Sequence, residues 1–192
     1  LLPKSQGGEK KYRVLFVLPV EANAERRYGD GLAEIQRLGL HESEQLICVA
    51  MTFSHLPWYA DHPTDPQIAQ ESYLLQDIVP LIDSRFSTTR LSQDRLLLGF
   101  SKSGWGAFSL LLRHPDVFGK AAAWDAPLMM NAPGLYGSGP IFGTPDNFRA
   151  YELTRLLRGP QAMSFKQGER LIHIGYGNFQ KEHVAFETVL QE

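Results

Sequence analysis

The nine residues Gly99-Phe100-Ser101-Lys102-Ser103-Gly104-Trp105-Gly106-Ala107 stand between a very apolar run, Arg95 to Gly99, and a stretch with Trp105, Phe108, Leu111 and Leu112 on one helical face. A serine on a tight strand-to-helix turn projects its hydroxyl above the sheet edge, and small neighbours let the strained backbone pass close to the packed helix. The setting is that of a nucleophile elbow, with Ser101 as the nucleophile and Gly99 as the small residue two before it. Ser103 stands two after it, where the G-x-S-x-G pattern has glycine, and Gly104 follows at once. The helix N-terminus aims backbone N–H groups and a positive partial charge at such a serine, which suits an oxyanion, and Lys102 N–H is one expected donor. The chemistry to expect is nucleophilic catalysis by the Ser101 hydroxyl. The plainer alternative is that Ser101 or Ser103 only caps a helix, because serine is a preferred N-cap. The Lys102 side chain is either a solvated cation or a partner for an acidic substrate.

Apolar strand-like runs alternate with helical stretches along the chain, the pattern of a mostly parallel sheet covered by helices on both faces, which places the protein in the α/β class. Strands are expected at Tyr12–Leu18, Leu46–Met51, Arg95–Gly99, Lys120–Trp124 and Arg170–Gly175. Gly31 to Leu38 reads as a short helix. From Gln70 to Phe86, Tyr73, Leu74, Ile78, Leu81 and Ile82 form one apolar stripe on a helix that Pro80 is expected to kink. The elbow helix should stop at His114-Pro115. Pro133, Gly134, Gly137, Gly139, Pro140, Gly143 and Pro145 mark Asn131 to Asn147 as a long irregular loop, followed by helices at Phe148–Leu157 and Lys181–Leu190.

The 192 residues, 43% hydrophobic and 21% charged, suffice for one substantial core, so a single domain spanning 1–192 is expected. Nineteen Lys plus Arg against 21 Asp plus Glu leave a net charge of −2, without the basic excess of a nucleic-acid or anionic-membrane binder. No apolar run approaches the roughly 18 residues that cross a bilayer, and Leu1-Leu2-Pro3-Lys4 carries neither an initiator Met nor a signal-peptide pattern. A soluble protein of unassigned compartment is expected. The lone Cys48 excludes an internal disulfide and an all-cysteine zinc site.

The chain resembles the esterase D-like branch of the α/β-hydrolase superfamily, which includes feruloyl esterases, S-formylglutathione hydrolases and mycolyltransferases. The resemblance rests on ordered blocks: Ser54-His55-Leu56-Pro57-Trp58-Tyr59-Ala60-Asp61, then Gln70-Glu71-Ser72-Tyr73-Leu74 with Asp77-Ile78-Val79-Pro80-Leu81-Ile82-Asp83. Asp94-Arg95 leads into the elbow, and Arg113-His114-Pro115-Asp116-Val117-Phe118 follows it. By this resemblance Tyr12–Leu18 corresponds to superfamily strand three, and Pro19-Val20-Glu21 to the loop whose backbone supplies the second oxyanion donor, at Val20 or Glu21. The usual His-Gly of that loop is absent. The resemblance further implies that the chain begins just before superfamily strand three and ends after the helix following strand seven. The domain is then incomplete at both ends, lacking terminal strands, with the histidine loop expected beyond Glu192.

The implied activity is that of a serine carboxylesterase: a histidine takes the Ser101 proton, two N–H groups hold the oxyanion, and water releases the acyl group. The superfamily order is Ser, then Asp or Glu, then His. His114, His173 and His183 follow Ser101, and each sits where a structural role is expected. Asn178 occupies the family's acid position, with Glu182 four residues on. Asp125, at the end of the fourth strand, ranks ahead of Asn178 because an amide supplies no charge to stabilise an imidazolium, although a buried Asp can equally anchor the next loop.

His55, Trp58 and Tyr59 are candidate walls of the substrate pocket, alongside their alternative as packing residues, and Tyr136 to Phe142 could line it too. Asp61, His55 and His62 lack metal-ligand spacing, and there is no Walker loop or dinucleotide fingerprint, so neither metal nor cofactor is expected. The expected partner is a small-molecule ester. The two alternatives are transfer of the acyl group to an acceptor other than water, and a non-catalytic binding module on the hydrolase scaffold.

Overall fold

The computed structural model of the chain describes residues 1–4, 10–23, 25–160 and 170–192. Five strands form one parallel sheet: β1 (Arg13–Leu18), β2 (Leu46–Val49), β3 (Arg95–Phe100), β4 (Lys120–Trp124) and β5 (Leu171–Ile174), in the order β2-β1-β3-β4-β5. Each was expected within two residues at either end. Side chains alternate across the sheet: Val14, Phe16 and Leu18 of β1 enter the main core, while Val17 joins Ile35, Leu46 and Cys48 in a smaller cluster on the other face. Helix α1 (Gly31–Arg37), capped by Asp30, covers that second face through Ile35 and is followed by the short α2 (Leu40–Ser43).

The helix expected from Gln70 to Phe86 changes its hydrogen-bond register along its length. It runs as α3 (Gln70–Ser72), a π-helical segment (Tyr73–Ile78) and α4 (Val79–Arg85). Val79 N–H donates to Leu74 O, five residues back, and Pro80 stands in the first turn of α4. The segment Asn131–Asn147 is also more ordered than its glycines and prolines suggest. It holds α6 (Gly139–Phe142) and the start of α7 (Pro145–Arg149), because Pro140 and Pro145 occupy helix N-termini and Thr144 caps α7 by accepting from Asn147 N–H. The single helix expected over Phe148–Leu157 is two, since α8 (Leu153–Arg158) begins after a break at Tyr151.

Helix α5 (Lys102–Arg113) lies against β3 and β4 and is buried from Ser103 to Leu112, while α9 (Gln180–Gln191) packs on β5 through His183 and Phe186. Trp58, Trp105, Phe108, Phe142 and Phe148 join the core around α5. At about 1.5–3 kcal/mol for each large apolar side chain, this cluster fixes the helix on which the elbow depends. No helix among the described residues is long and apolar enough to cross a membrane.

Candidate active site

Strand β3 delivers the chain to Ser101, which takes φ 53° and ψ −128° before α5 begins. A non-glycine residue with positive φ outside the left-handed helical well is strained and must be held by its surroundings. Ser101 N–H donates to Trp124 O of β4 (3.0 Å), and Ser101 O accepts from Gly104 N–H (2.9 Å) and Trp105 N–H (3.2 Å). Gly99 makes the return possible: a Cβ there would lie 2.1 Å from Ser103 O. Ser101 uses no side-chain cap on its helix, so its hydroxyl is not spent on the backbone as an N-cap would be.

The register pairs Leu18 with Gly99, so the loop after β1 leaves the sheet beside the elbow. Pro19 O accepts two hydrogen bonds, from Ser103 Oγ (2.5 Å) and from the Tyr59 hydroxyl (2.7 Å). Farther on, the buried Glu21 carboxylate accepts from Arg27 N–H (2.6 Å) and faces the Arg27 guanidinium (3.3 Å), and Asn23 N–H donates to Phe53 O. Among the described residues the N–H groups of Val20, Glu21 and Lys102 have no acceptor. Lys102 N–H heads α5, where no intrahelical partner exists. The Lys102 side chain is half-buried rather than solvated. Burial pulls its pKa down, against the opposing charge of Glu21, and Arg27 adds to the drop. Burial likewise pushes the Tyr59 phenol well up, overriding the Ser103 hydroxyl beside it, so Tyr59 remains a donor.

Asp125 follows β4 directly with φ 43°, and its N–H donates to Ile174 O (2.9 Å). Its buried carboxylate accepts from Gly177 N–H (3.1 Å), Asn178 N–H (3.2 Å) and Phe179 N–H (2.9 Å), an anchor for the turn into α9. Asn178 meets Asp125 through its backbone while the residue itself is exposed, and Glu182 accepts from Met129 N–H. The three later histidines are engaged elsewhere. His114 Nε2 lies 2.6 Å from Glu71 Oε1. Ala126 N–H donates to His183 Nε2 (2.8 Å), which assigns the His183 proton to Nδ1, 3.1 Å from His173 Nδ1; His173 Nε2 in turn meets Glu187 (3.0 Å). Burial lowers the His183 pKa, His173 lowers it further, and Asp125 opposes. Among the described residues no histidine nitrogen is hydrogen-bonded to Ser101 or Asp125.

Trp58 and Tyr59, expected as pocket walls, are both 0% exposed and belong to the core. The Trp58 ring sits edge-on to Trp105 (5.5 Å) and near Phe142 (6.1 Å). The Tyr59 ring lies on α5, where a Cβ at Gly106 would be 2.2 Å from it. His55 is half-buried, with Nδ1 on Ser54 Oγ (3.0 Å). His62 Nδ1 accepts from Thr64 and Asp65 N–H, and the Asp61 carboxylate accepts from Ser72. Phe142 is buried, and Tyr136 is exposed against Phe179. The convergence of Ser103 and Tyr59 on Pro19 was not expected, although Ser103 in a glycine position was its visible trace.

The Esterase family model matches residues 54–175. Among solved structures the chain is similar to the S-formylglutathione hydrolase FrmB of Staphylococcus aureus, at 17% identity over 99% of this chain and 78% of that one, with a TM-score of 0.73. It is similar also to an S-formylglutathione hydrolase of Agrobacterium tumefaciens (13% identity, 92% and 83% covered, TM-score 0.62) and to MPT51 of Mycobacterium tuberculosis (13%, 94% and 89%, 0.62). No curated protein matches the chain by sequence.

Proposed function

The chain belongs to the Esterase family and has the α/β-hydrolase fold, and from this we propose that it hydrolyses a small carboxylic ester through an acyl-enzyme on Ser101. The observation that carries the proposal is the backbone of Ser101, held at φ 53° and ψ −128° between β3 and α5 with its hydroxyl free of any capping bond. Ser101 Oγ attacks the ester carbon as the histidine that the family resemblance implies takes its proton. The oxyanion is held by Lys102 N–H together with the N–H of Val20 or Glu21. The alcohol departs with the proton, and water then attacks the acyl carbon, returning Ser101 to its hydroxyl form. Asp125 is the carboxylate nearest in kind to a triad acid, but its three N–H partners favour the anchoring role.

Incubation of the full protein with a fluorophosphonate, read by intact mass, tests the proposal. One adduct that disappears in Ser101→Ala is expected; no adduct, or one that survives the substitution, refutes it. The engagement of His114, His173, His183 and Asp125 favours a second reading, a binding module without turnover. Turnover of a short-chain chromogenic ester that Ser101→Ala abolishes excludes it, and supplying acceptor alcohols separates hydrolysis from transfer.

A further inference from the structure

Resting on that reading, we propose that Ser103 and Tyr59 are positioning residues for catalysis, which together clamp the Pro19 carbonyl so that the Val20 N–H points outward as the second oxyanion donor. A trans peptide is planar, with its C=O and N–H pointing in opposite directions. Whatever fixes the carbonyl of the Pro19–Val20 peptide therefore fixes the direction of Val20 N–H. Two hydroxyls bind that one carbonyl, Ser103 Oγ at 2.5 Å from the first turn of α5 and Tyr59 at 2.7 Å from the loop after β2. A carbonyl oxygen has two lone pairs, and both are used. Both donors are buried, so water does not compete, and the raised Tyr59 pKa keeps its proton available.

The clamp ties the loop to the nucleophile's own helix. Ser103 is two residues from Ser101, and the Tyr59 ring reaches Pro19 across the bare backbone of Gly106. Leu18 is in register with Gly99, so the held peptide leaves the sheet beside the elbow. The Val20 N–H has no acceptor among the described residues, as expected of a donor whose partner is the developing oxyanion. Without the two hydroxyls, rotation of the Pro19–Val20 peptide would turn the carbonyl toward the reacting oxygen and withdraw the donor. Ser103 in place of the usual glycine is then a functional substitution, since glycine would leave Tyr59 as the only donor to Pro19.

The test uses the full protein, with Ser103→Ala, Tyr59→Phe and the double variant. Removing one oxyanion donor costs about 10²–10³ in kcat, so a comparable loss is expected in the double variant and smaller losses in each single one, with KM unchanged. A transition-state-analogue inhibitor, an alkyl boronic acid, is expected to weaken by the same factor as kcat, while the thermal midpoint of Ser103→Ala stays within a few degrees of the parent. A purely structural role would lower the midpoint and the folded fraction without separating boronate affinity from KM. If wild type forms the Ser101 adduct and turns over ester, yet the double variant keeps its kcat and its boronate affinity, the clamp is overturned while the esterase reading stands. If wild type forms no adduct, the esterase reading itself fails.

Discussion

Replacing Glu71 by Gln should cost about 3 kcal/mol at pH 7, and the cost should vanish in acid. Glu71 is 6% exposed and receives four donors on its two oxygens: Arg113 Nε (2.8 Å) and His114 Nε2 (2.6 Å) on Oε1, Arg113 Nη2 (3.0 Å) and the Tyr151 hydroxyl (3.1 Å) on Oε2. Burial alone would raise its pKa. The hydrogen bonds from His114 and Arg113, with their charges, outweigh burial and hold it at about 2 against an ordinary 4.5. At about 1.4 kcal/mol per pH unit, this gap is worth about 3 kcal/mol, close to the roughly 3–5 kcal/mol lost when one partner of a buried ion pair is removed. Because the folded-state pKa is the lower one, the stabilisation is present above pH 4.5 and is lost as pH falls toward 2, about three-fifths of it by pH 3. Urea unfolding followed by tryptophan fluorescence, for wild type and Glu71→Gln from pH 7 to pH 3, measures the difference directly. A gap below about 1 kcal/mol at pH 7, or one that does not shrink toward pH 3, would refute the assignment of this carboxylate as the charged hub joining α3, α5 and Tyr151.

Three further outcomes follow from the same geometry. Ser101→Gly should abolish ester turnover yet raise unfolding stability by about 1 kcal/mol, because glycine adopts φ 53° without strain; unchanged or lower stability in urea would contradict the strained elbow. Gly106→Ala, which in an ordinary helix interior gains about 1 kcal/mol, should instead destabilise, since the new Cβ meets the Tyr59 ring at 2.2 Å; a higher thermal midpoint would show that the ring gives way freely. His183 has a folded-state pKa below its ordinary 6.5, so its contribution is present above pH 6.5 and is lost as pH falls below it. His183→Gln, whose amide oxygen can still accept from Ala126 N–H, should flatten the fall in thermal midpoint between pH 7 and pH 5, and an unchanged slope would exclude His183 as its source.

The sheet was legible because each strand is a short apolar run bounded by turn residues, and the elbow because Gly99, Ser101 and Gly104 fall where β3 must give way to α5. What the chain's order hides is pairing over long separations. Ser103 meets Pro19 across 84 residues and Glu71 meets Arg113 across 42, and neither pairing leaves a periodicity in the residues between. Trp58 and Tyr59 were open to a pocket reading because loop aromatics at a sheet edge commonly face ligand. Their burial follows from Trp105, Phe142 and the missing Cβ of Gly106, which offer the rings more apolar contact than a pocket would. Prolines misled over Asn131–Asn147 for a related reason: the same residue that breaks a helix interior begins a helix when a cap such as Thr144 precedes it.

The hydrogen bond from Ser101 N–H to Trp124 O places part of the restraint on the Ser101 backbone on a strand made later in the chain, and the bond from Asp125 N–H to Ile174 O repeats the device one strand farther out. A growing polypeptide that has completed β3 and α5 therefore contains Ser101 without one of the bonds that hold its positive-φ turn. That bond forms only when β4 docks beside β3, and the turn after β4 gains its own only when β5 arrives. The strained turn is thus a late feature of assembly, completed together with the sheet.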